Sequence, residues 1–270
     1  MFKNKWSYIG LCIIVLLVLC ALFAPLIAPE DPYKINLALE LSPPGKGHIM
    51  GTDINGSDIF SRLLYGARIS LIVGLFVVSI SGIIGIILGL ISGYYGGWVD
   101  LFMMRLVDIL LAFPGLLLAI ALVAVLGPSI TNVIIALSIL GWVPFARLVR
   151  GQVISVKERA YILSARTSGQ SDFRIMILHI LPNIISAVIV QATFNLAGVI
   201  ISESSLSFLG LGAPPGTPSW GAMLSEGKQV ILDAPHVSIF PGLAIMLTVI
   251  AFNFLGDGLR DKFDPKTERK

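Results

Sequence analysis

Long apolar runs, separated by shorter polar segments, dominate this sequence. The runs are Trp6–Pro29, Ile69–Val99, Ile109–Ala146, Ile184–Ser202 and His236–Leu255. A transmembrane helix needs about 20 apolar residues, so the third run is long enough for two crossings. A turn sequence in its middle, Leu126–Ser129, favours a division there. The pattern therefore predicts an all-α, polytopic membrane protein with six transmembrane helices, whose two ends lie on the same side of the membrane.

The composition agrees with a membrane protein and excludes several other classes. Hydrophobic residues make up 56% of the 270 residues and charged residues 13%, against roughly 45–50% and 25% in soluble domains. This excludes a disordered chain, a nucleic-acid-binding protein and a disulfide scaffold. Cys12 and Cys20 both lie in the first apolar run, where packing or lipid contact is expected. That run is longer than the apolar core of a signal peptide, so we interpret it as a retained membrane anchor.

The basic residues are divided unequally between the two sides of this topology. With the N-terminus inside, only five of the 19 Lys and Arg residues fall on the outer side. They are Lys34, Lys46, Arg62, Arg68 and Lys228. Cytoplasmic segments of membrane proteins carry an excess of Lys and Arg. The asymmetry therefore predicts that both termini are cytoplasmic.

The predicted spans divide the chain into four parts. These are an N-terminal transmembrane helix (1–28), a first extracytoplasmic loop (29–66), a transmembrane domain (67–256) and a cytoplasmic tail (257–270). The transmembrane domain contains a basic inner loop, 150–182, and a last outer loop, Glu203–Pro235, that is rich in glycine and proline. These three loops are long enough to do more than connect helices.

The basic inner loop has the pattern of two short helices joined by a sharp corner. A helix over Val156–Ser168 is predicted to end at Gly169, a typical residue just beyond a helix C-terminus. Ser171 is predicted to cap a second helix, Asp172–Leu181, that stops before Pro182. Small residues for close approach of a partner protein, and cations for its acidic groups, are Ser164, Ala165, Gly169, Arg159, Arg166 and Arg174. From these residues alone, protein docking and simple contact with lipid headgroups explain the loop equally well.

The sequence shows no pattern of catalytic or metal-binding residues. Gly45-Lys46 and Gly227-Lys228 lack the preceding glycine and following hydroxyl of a phosphate-binding loop. The three histidines, His48, His179 and His236, are too scattered for a metal site. We therefore expect a non-catalytic chain without a cofactor or a bound metal, which does not bind ATP itself.

A few polar residues in the predicted spans are candidates for a transport pathway or a gate. They are Arg105, Asp108, Gln191, Asn195 and Glu203. Arg105 and Asp108 are three residues apart, a spacing that allows an ion pair. For each of the other three, hydrogen bonding between helices is favoured over a pathway role. The sequence Gly85–Gly89 fits the pattern of close helix packing, which we expect within an assembly of subunits.

Four motifs, in matching order, resemble one branch of the ABC-importer permeases. Tyr161–Gly169, followed by His179–Asn183, looks like the EAA loop of these permeases. The other three motifs are Gly51–Leu71, Ser204–Gly221 and Asn253–Pro265. Together they narrow the resemblance to the dipeptide, oligopeptide and nickel branch, and they cover the chain from Asp31 to Pro265.

The resemblance implies a permease subunit of an ATP-driven importer in the bacterial inner membrane, which forms half of the translocation pathway. It implies a second homologous permease, two cytoplasmic ATPase subunits that engage the EAA loops, and an extracytoplasmic binding protein that delivers di- or oligopeptides. No nucleic-acid partner is expected. The residues implied in coupling to the ATPases are Tyr161, Leu163, Ser164, Ala165, Arg166, Gly169, Leu181 and Pro182.

The chain departs from the family pattern at two positions. Leu163 stands where the EAA loop usually has Glu, so docking is expected to rely on apolar contact and on the neighbouring charges. Ser57 stands where the branch usually has Arg. Neither departure removes a whole motif.

The sequence also allows two other functions. Within the same branch, nickel or a metal chelate is the alternative cargo. An ion-coupled secondary transporter is a different class, and it requires carboxylates within the membrane. Only Asp108 lies clearly within a predicted span, which disfavours that class.

Overall fold

The computed structural model describes residues 5–214 and 216–263, which are mostly helical. The helices are α1 (Lys5–Leu22), α2 (Ala24–Ile27), α3 (Ile59–Tyr95), α4 (Gly97–Leu111), α5 (Gly115–Leu126), α6 (Ile130–Lys157), α7 (Ala160–Thr167), α8 (Asp172–Ile175), α9 (Leu181–Phe208), α10 (Trp220–Gly227) and α11 (His236–Phe263). No β-strand occurs within the described residues, where a single bridge joins Thr52 and Asp58. The predicted all-α class is confirmed. The basic residues Lys3, Lys266, Arg269 and Lys270 lie outside the described residues.

Within the described part of the chain, five helical segments are long and apolar enough to cross a membrane. They are α1, α3, α6, the segment Asp172–Phe208 and α11. Helices α4 and α5 pass the same test together, with a bend of 82° between them. The described residues therefore contain five candidate spans, or six when the bent pair counts as one, and the predicted polytopic membrane fold is confirmed.

The third predicted span, which begins at Ile109, is interrupted in the structure. Helix α4 ends at Leu111, and α5 begins only at Gly115, beyond Pro114. Proline has no backbone N–H to donate, and it disfavours helical backbone at the residue before it. The helix therefore breaks at this point, and this break was not predicted.

Helix α3 begins at Ile59, well before the predicted start of the second span at Ile69. The Asp58 carboxylate caps it by accepting a hydrogen bond from the Ser61 backbone N–H at 2.8 Å. At about 1.5 Å per residue, its 37 residues exceed the roughly 30 Å of a bilayer core. Helix α3 therefore joins two ends of the bundle. We call the end with the first loop and α10 the cap end, and the end with α7 and α8 the basic end.

Helix α3 packs closely on α6 through small residues. A Cβ atom on Gly89 would lie 2.7 Å from the Ala146 carbonyl oxygen, and Gly85 faces Phe145 in the same way. A larger side chain at either glycine would push the helices apart. The close packing predicted for these glycines is confirmed, but it joins two helices of one chain rather than two subunits.

Helix α11 packs on α1 and on α9. The rings of Trp6 and Phe254 lie 5.5 Å apart between their centroids. A Cβ atom on Gly256 would lie 2.7 Å from Thr193 Oγ1 in α9, so this part of the C-terminal motif serves helix packing. Helix α11 continues to Phe263, so the described part of the predicted tail is helical.

The basic inner loop is more helical than predicted. Helix α6 continues into it as far as Lys157, and α7 begins at Ala160. The second short helix does not stop before Pro182, because α8, a π-helical turn over Met176–Ile180 and α9 follow one another without a gap. Proline is well tolerated in the first turn of a helix, and the wider turn before it accommodates the missing N–H. The predicted stop before Pro182 is therefore wrong.

Candidate coupling surface and transport groove

The cap end contains a tight loop, Gly51–Asp58, that leads into α3. The Asp53 carboxylate is 1% exposed and accepts hydrogen bonds from the backbone N–H groups of Asn55 and Ser57 at 2.8 and 3.0 Å. The Ser57 hydroxyl donates to the Lys34 carbonyl at 2.8 Å. Ser57 therefore closes the loop onto the segment before it, and the internal hydrogen bonds explain why this motif is rich in short polar residues.

A buried arginine ties this loop to α10. Arg62 is 2% exposed, and its guanidinium donates to Asp53 and to both oxygens of Glu226, the latter at 2.7 and 3.1 Å. A guanidinium that binds a carboxylate through two nitrogens fixes its orientation. Trp220 is also buried, and its indole N–H donates to the Leu63 carbonyl at 3.0 Å. The segment that precedes α3, α3 itself and α10 therefore form one connected unit.

Glu203 connects α9 to α3 near this unit. Its side chain is 2% exposed and accepts hydrogen bonds from the hydroxyls of Ser70 at 3.2 Å and Ser207 at 2.8 Å. It does not line the groove described below. The contacts favour helix packing for Glu203 over a role in a transport pathway.

The basic end carries an elbow formed by α7 and α8. On one face of α7, Ile162 and Ala165 are 0% and 7% exposed, and both belong to a core cluster with Ile175. The other face points outward and carries Tyr161, Leu163, Ser164 and Arg166. Ala165, predicted to allow close approach of a partner, packs inside the chain instead. Helix α7 is therefore held by one face and presents four of the eight predicted coupling residues on the other.

Gly169 forms the corner between the two helices of the elbow. Its φ of 76° lies in the left-handed region, which glycine adopts without steric cost. The backbone N–H groups of Gly169 and Gln170 donate to carbonyls in the last turn of α7 at 3.0 and 3.2 Å. The predicted helix-terminating role of Gly169 is confirmed. The Ser171 hydroxyl makes no capping bond, and a contact of 2.8 Å between Gln170 Oε1 and His179 Nε2 connects the corner to the π-helical turn.

The elbow exposes both cations and apolar side chains. Its exposed residues include Arg159, Arg166, Arg174 and, at the start of α9, Pro182, while Leu181 is half-buried. Leu163 is 44% exposed and Phe173 is 72% exposed. A surface of this kind can bind a protein through apolar packing and ion pairs together.

Two depressions lie along the contact between α6 and α9, and together we call them the groove. Their lining includes positions spaced three or four apart on both helices: Asn183, Ala187, Gln191, Asn195, Gly198 and Ser202 of α9, and Leu137, Gly141, Pro144, Leu148 and Gln152 of α6. Within it, Gln191 Nε2 donates to Asn195 Oδ1 at 3.1 Å. The structure therefore places two of the predicted pathway residues together on the groove wall.

The prediction of an ion pair between Arg105 and Asp108 is wrong. Both side chains are exposed on α4, and the described residues form no ion pair between them. The acidic residue of α4 that does pair is Asp100, which accepts from Arg150 Nη2 of α6 at 2.6 Å. The i,i+3 spacing permits a pair but does not require one, because both side chains can point to solvent or lipid headgroups instead.

A set of contacts at the basic end of α3 was not predicted from the sequence. The Ser92 hydroxyl donates to Asp100 Oδ1 at 2.5 Å, and Lys157 Nζ donates to the Gly93 carbonyl at 2.9 Å. These contacts join α3, α4 and α6. The only signal in the sequence is the position of Asp100 and Arg150 beside apolar runs, and nothing local indicates that they meet.

Comparison with known proteins identifies a family of transport components. The chain matches the family described as binding-protein-dependent transport system inner membrane component over residues 85–269, and the N-terminal TM domain of oligopeptide transport permease C over residues 1–44. It is 49% identical over 264 residues to the dipeptide transport system permease protein DppC of Alkalihalophilus pseudofirmus, covering 98% of this chain and 87% of that protein. It is 53% identical over 254 residues to the glutathione transport system permease protein GsiD of Escherichia coli, covering 94% and 84%.

A solved structure shares the fold. A chain of the MetNI methionine ABC transporter, determined in inward facing conformations, has a TM-score of 0.62 and a sequence identity of 17% with this chain. The similarity covers 76% of this chain and 98% of that one. The arrangement of helices is therefore that of an ABC-transporter membrane subunit.

Proposed function

Since the chain belongs to the family of binding-protein-dependent transport system inner membrane components, we propose that it forms half of the translocation pathway of an ATP-driven importer. A second, homologous permease forms the other half. Two cytoplasmic ATPase subunits hydrolyse ATP, and an extracytoplasmic binding protein delivers the substrate. The complex lies in the bacterial inner membrane, with both termini of this chain in the cytoplasm.

The exposed elbow is the main observation that supports this proposal. Helix α7 is fixed to the bundle through Ile162 and presents Tyr161, Leu163 and Arg166 outward. A helix held in this way is suited to fit into a depression on an ATPase subunit, with Leu163 in apolar contact and the arginines against acidic groups at the rim. The elbow therefore supports protein docking over contact with lipid headgroups alone.

The groove between α6 and α9 is the proposed pathway wall. Closure of the two ATPases on ATP draws their docked elbows together. Because the elbow is continuous with α9 through the π-helical turn, this movement reaches the groove directly. The bundle then alternates between arrangements open to one side and to the other.

Di- and oligopeptides are the proposed cargo. Gln191 and Asn195 offer amide donors and acceptors beside apolar positions of α6, a combination that suits a peptide backbone with variable side chains. The relatives named above are a dipeptide permease and a glutathione permease. A nickel chelate is the alternative, and since a chelated metal needs no ligands from the protein, only transport measurements decide between the two.

The cargo is tested by deleting the gene for this chain and restoring it on a plasmid. We expect the deletion to abolish uptake of a labelled dipeptide and growth on peptides as the sole source of a required amino acid, while uptake of radioactive nickel stays unchanged. The plasmid should restore peptide uptake. Loss of nickel uptake with normal peptide uptake would contradict the peptide assignment and support the alternative.

Blocking the groove tests the pathway. A Cβ atom on Gly198 meets no atom within 4 Å, so Gly198→Leu should fold while filling space on the groove wall. We expect peptide uptake to fall at least about tenfold, because a side chain of four carbons narrows the path. The measurement is uptake into cells that contain equal amounts of the assembled complex.

Gly151 of α6 supplies the matched control for this substitution. A Cβ atom there also meets nothing within 4 Å, and Gly151 is not among the groove residues. Gly151→Leu should keep uptake within about twofold of the original protein. Equal uptake in the two variants would exclude the Gly198 face of α9 from the pathway.

A further inference from the structure

Tyr94 lies in the last turn of α3 and contacts both helices of the elbow. We propose that it is a positioning residue that transmits movement of the elbow to the bent α4–α5 span. This inference rests on the proposed function, since it requires that the elbow docks on an ATPase. Tyr94 would give the elbow a second connection to the groove, separate from the continuous connection through α9.

The contacts of Tyr94 with the elbow are specific. Its hydroxyl donates to Asp172 Oδ1, at the start of α8, at 2.7 Å. The Arg166 guanidinium of α7 lies over its ring, 5.2 Å from the centroid. Tyr94 is only 5% exposed, whereas Arg166 and Asp172 are exposed. One buried side chain thus contacts both helices of the elbow, through a charge-assisted hydrogen bond and a cation–π contact.

Tyr94 lies close in the chain to the start of α4. After Tyr95, the chain turns through Gly96 and Gly97, whose φ values are 66° and 53°. A Cβ atom on either glycine would meet nothing within 4 Å, so the turn has room to change. Beyond it, Asp100 of α4 is bound by Ser92, one turn before the end of α3. A movement of the end of α3 therefore moves the start of α4 with it.

The bent pair carries this movement to the groove. Helix α4 leads through the break before Pro114 into α5, and the first residues of α5, Gly115 and Leu116, line the groove together with Asn195. A bend of 82° between two short helices is a natural hinge, because the break leaves no continuous helical hydrogen bonding across it. Movement of the elbow thus has a connected path to the groove wall opposite α9.

The test uses the complete complex, with both permeases, the ATPases and the binding protein, in liposomes. Tyr94→Phe removes the hydroxyl and keeps the ring that Arg166 covers. We expect substrate-stimulated ATP hydrolysis to stay within about twofold, while the number of ATP molecules hydrolysed per dipeptide transported rises at least about fivefold. Tyr95→Phe is the matched control, since Tyr95 is 53% exposed, and its ratio should not change.

Variants of Asp172 separate the hydrogen bond from the charge. Asp172→Asn keeps an oxygen that accepts from the Tyr94 hydroxyl and should preserve the ratio, whereas Asp172→Ala should raise it as Tyr94→Phe does. The double variant Tyr94→Phe, Asp172→Ala should be no worse than either single one, since both remove the same contact.

Two results would overturn the inference. One is an unchanged ratio in Tyr94→Phe. The other is a parallel loss of ATPase binding and transport, which would make Tyr94 part of the docking structure only. Failure of the original complex to use ATP at all would contradict the proposed function itself, and it would do so before any variant is measured.

Discussion

Gly169→Pro is expected to abolish uptake, to less than about 1% of the original rate, and to release the ATPase subunits from the complex. Gly169 has a φ of 76°, and proline fixes φ near −65°, so the corner of the elbow cannot form. The substitution also removes the N–H that donates to the last turn of α7. The measurement is co-purification of the ATPases together with peptide uptake at equal amounts of inserted protein.

Gly169→Asn is the matched control for this variant. Asparagine tolerates the left-handed region better than other residues with a side chain, and a Cβ atom at Gly169 meets nothing within 4 Å. It should therefore retain at least about half of the uptake. If Gly169→Pro keeps both its ATPases and its uptake, the elbow is not the coupling surface.

Arg62→Met is expected to cause the largest loss of stability among single substitutions in the cap. It leaves Asp53, which is 1% exposed, and Glu226 facing each other without the cation that they share. Removing one partner of a buried ion pair costs about 3–5 kcal/mol. We expect a clear fall in the midpoint of thermal unfolding, measured in detergent by the loss of monodisperse protein on size-exclusion chromatography after heating.

Arg68→Met is the matched control, because Arg68 lies in the same helix with an exposed side chain over the Tyr65 ring. Its cost should stay near or below about 0.5 kcal/mol, as for most surface substitutions. Adding Glu226→Gln to Arg62→Met should recover part of the stability by removing one unpaired carboxylate. Equal midpoints for Arg62→Met and Arg68→Met would show that the buried ion pairs do not hold the cap together.

Much of the fold could be predicted from the sequence because transmembrane helices form from local composition. The apolar runs correspond to α1, α3, α6, α9 and α11. The bend at Pro114 was not predicted, because the run was divided only at Leu126–Ser129, where a glycine and a proline together give a stronger turn signal than the single Pro114. The early start of α3 was missed for a different reason: Arg62 is polar, and only its contacts with Asp53 and Glu226 allow it to be buried.

The candidate site shows the same division between local and distant information. The corner at Gly169 was predictable, since a glycine after a helical segment is a local signal. The outward face of α7 was predicted only in part, because Ser164 and Arg166 are exposed as expected whereas Ala165 is buried. The contact between Tyr94 and Asp172 was not predictable, because these residues are far apart in the sequence and neither is unusual in its own segment. Contacts that depend on how α3 packs against the elbow could therefore not be predicted from the sequence.

We expect this chain to conduct substrate only when separate ATPase subunits drive it. Dipeptide uptake is measured in liposomes that contain either the complete complex with its binding protein or this chain alone. We expect uptake by the complete complex that requires ATP on the ATPase side and persists after ionophores collapse all ion gradients. Accumulation of dipeptide by this chain alone, driven by a proton or sodium gradient without any ATPase, would contradict it.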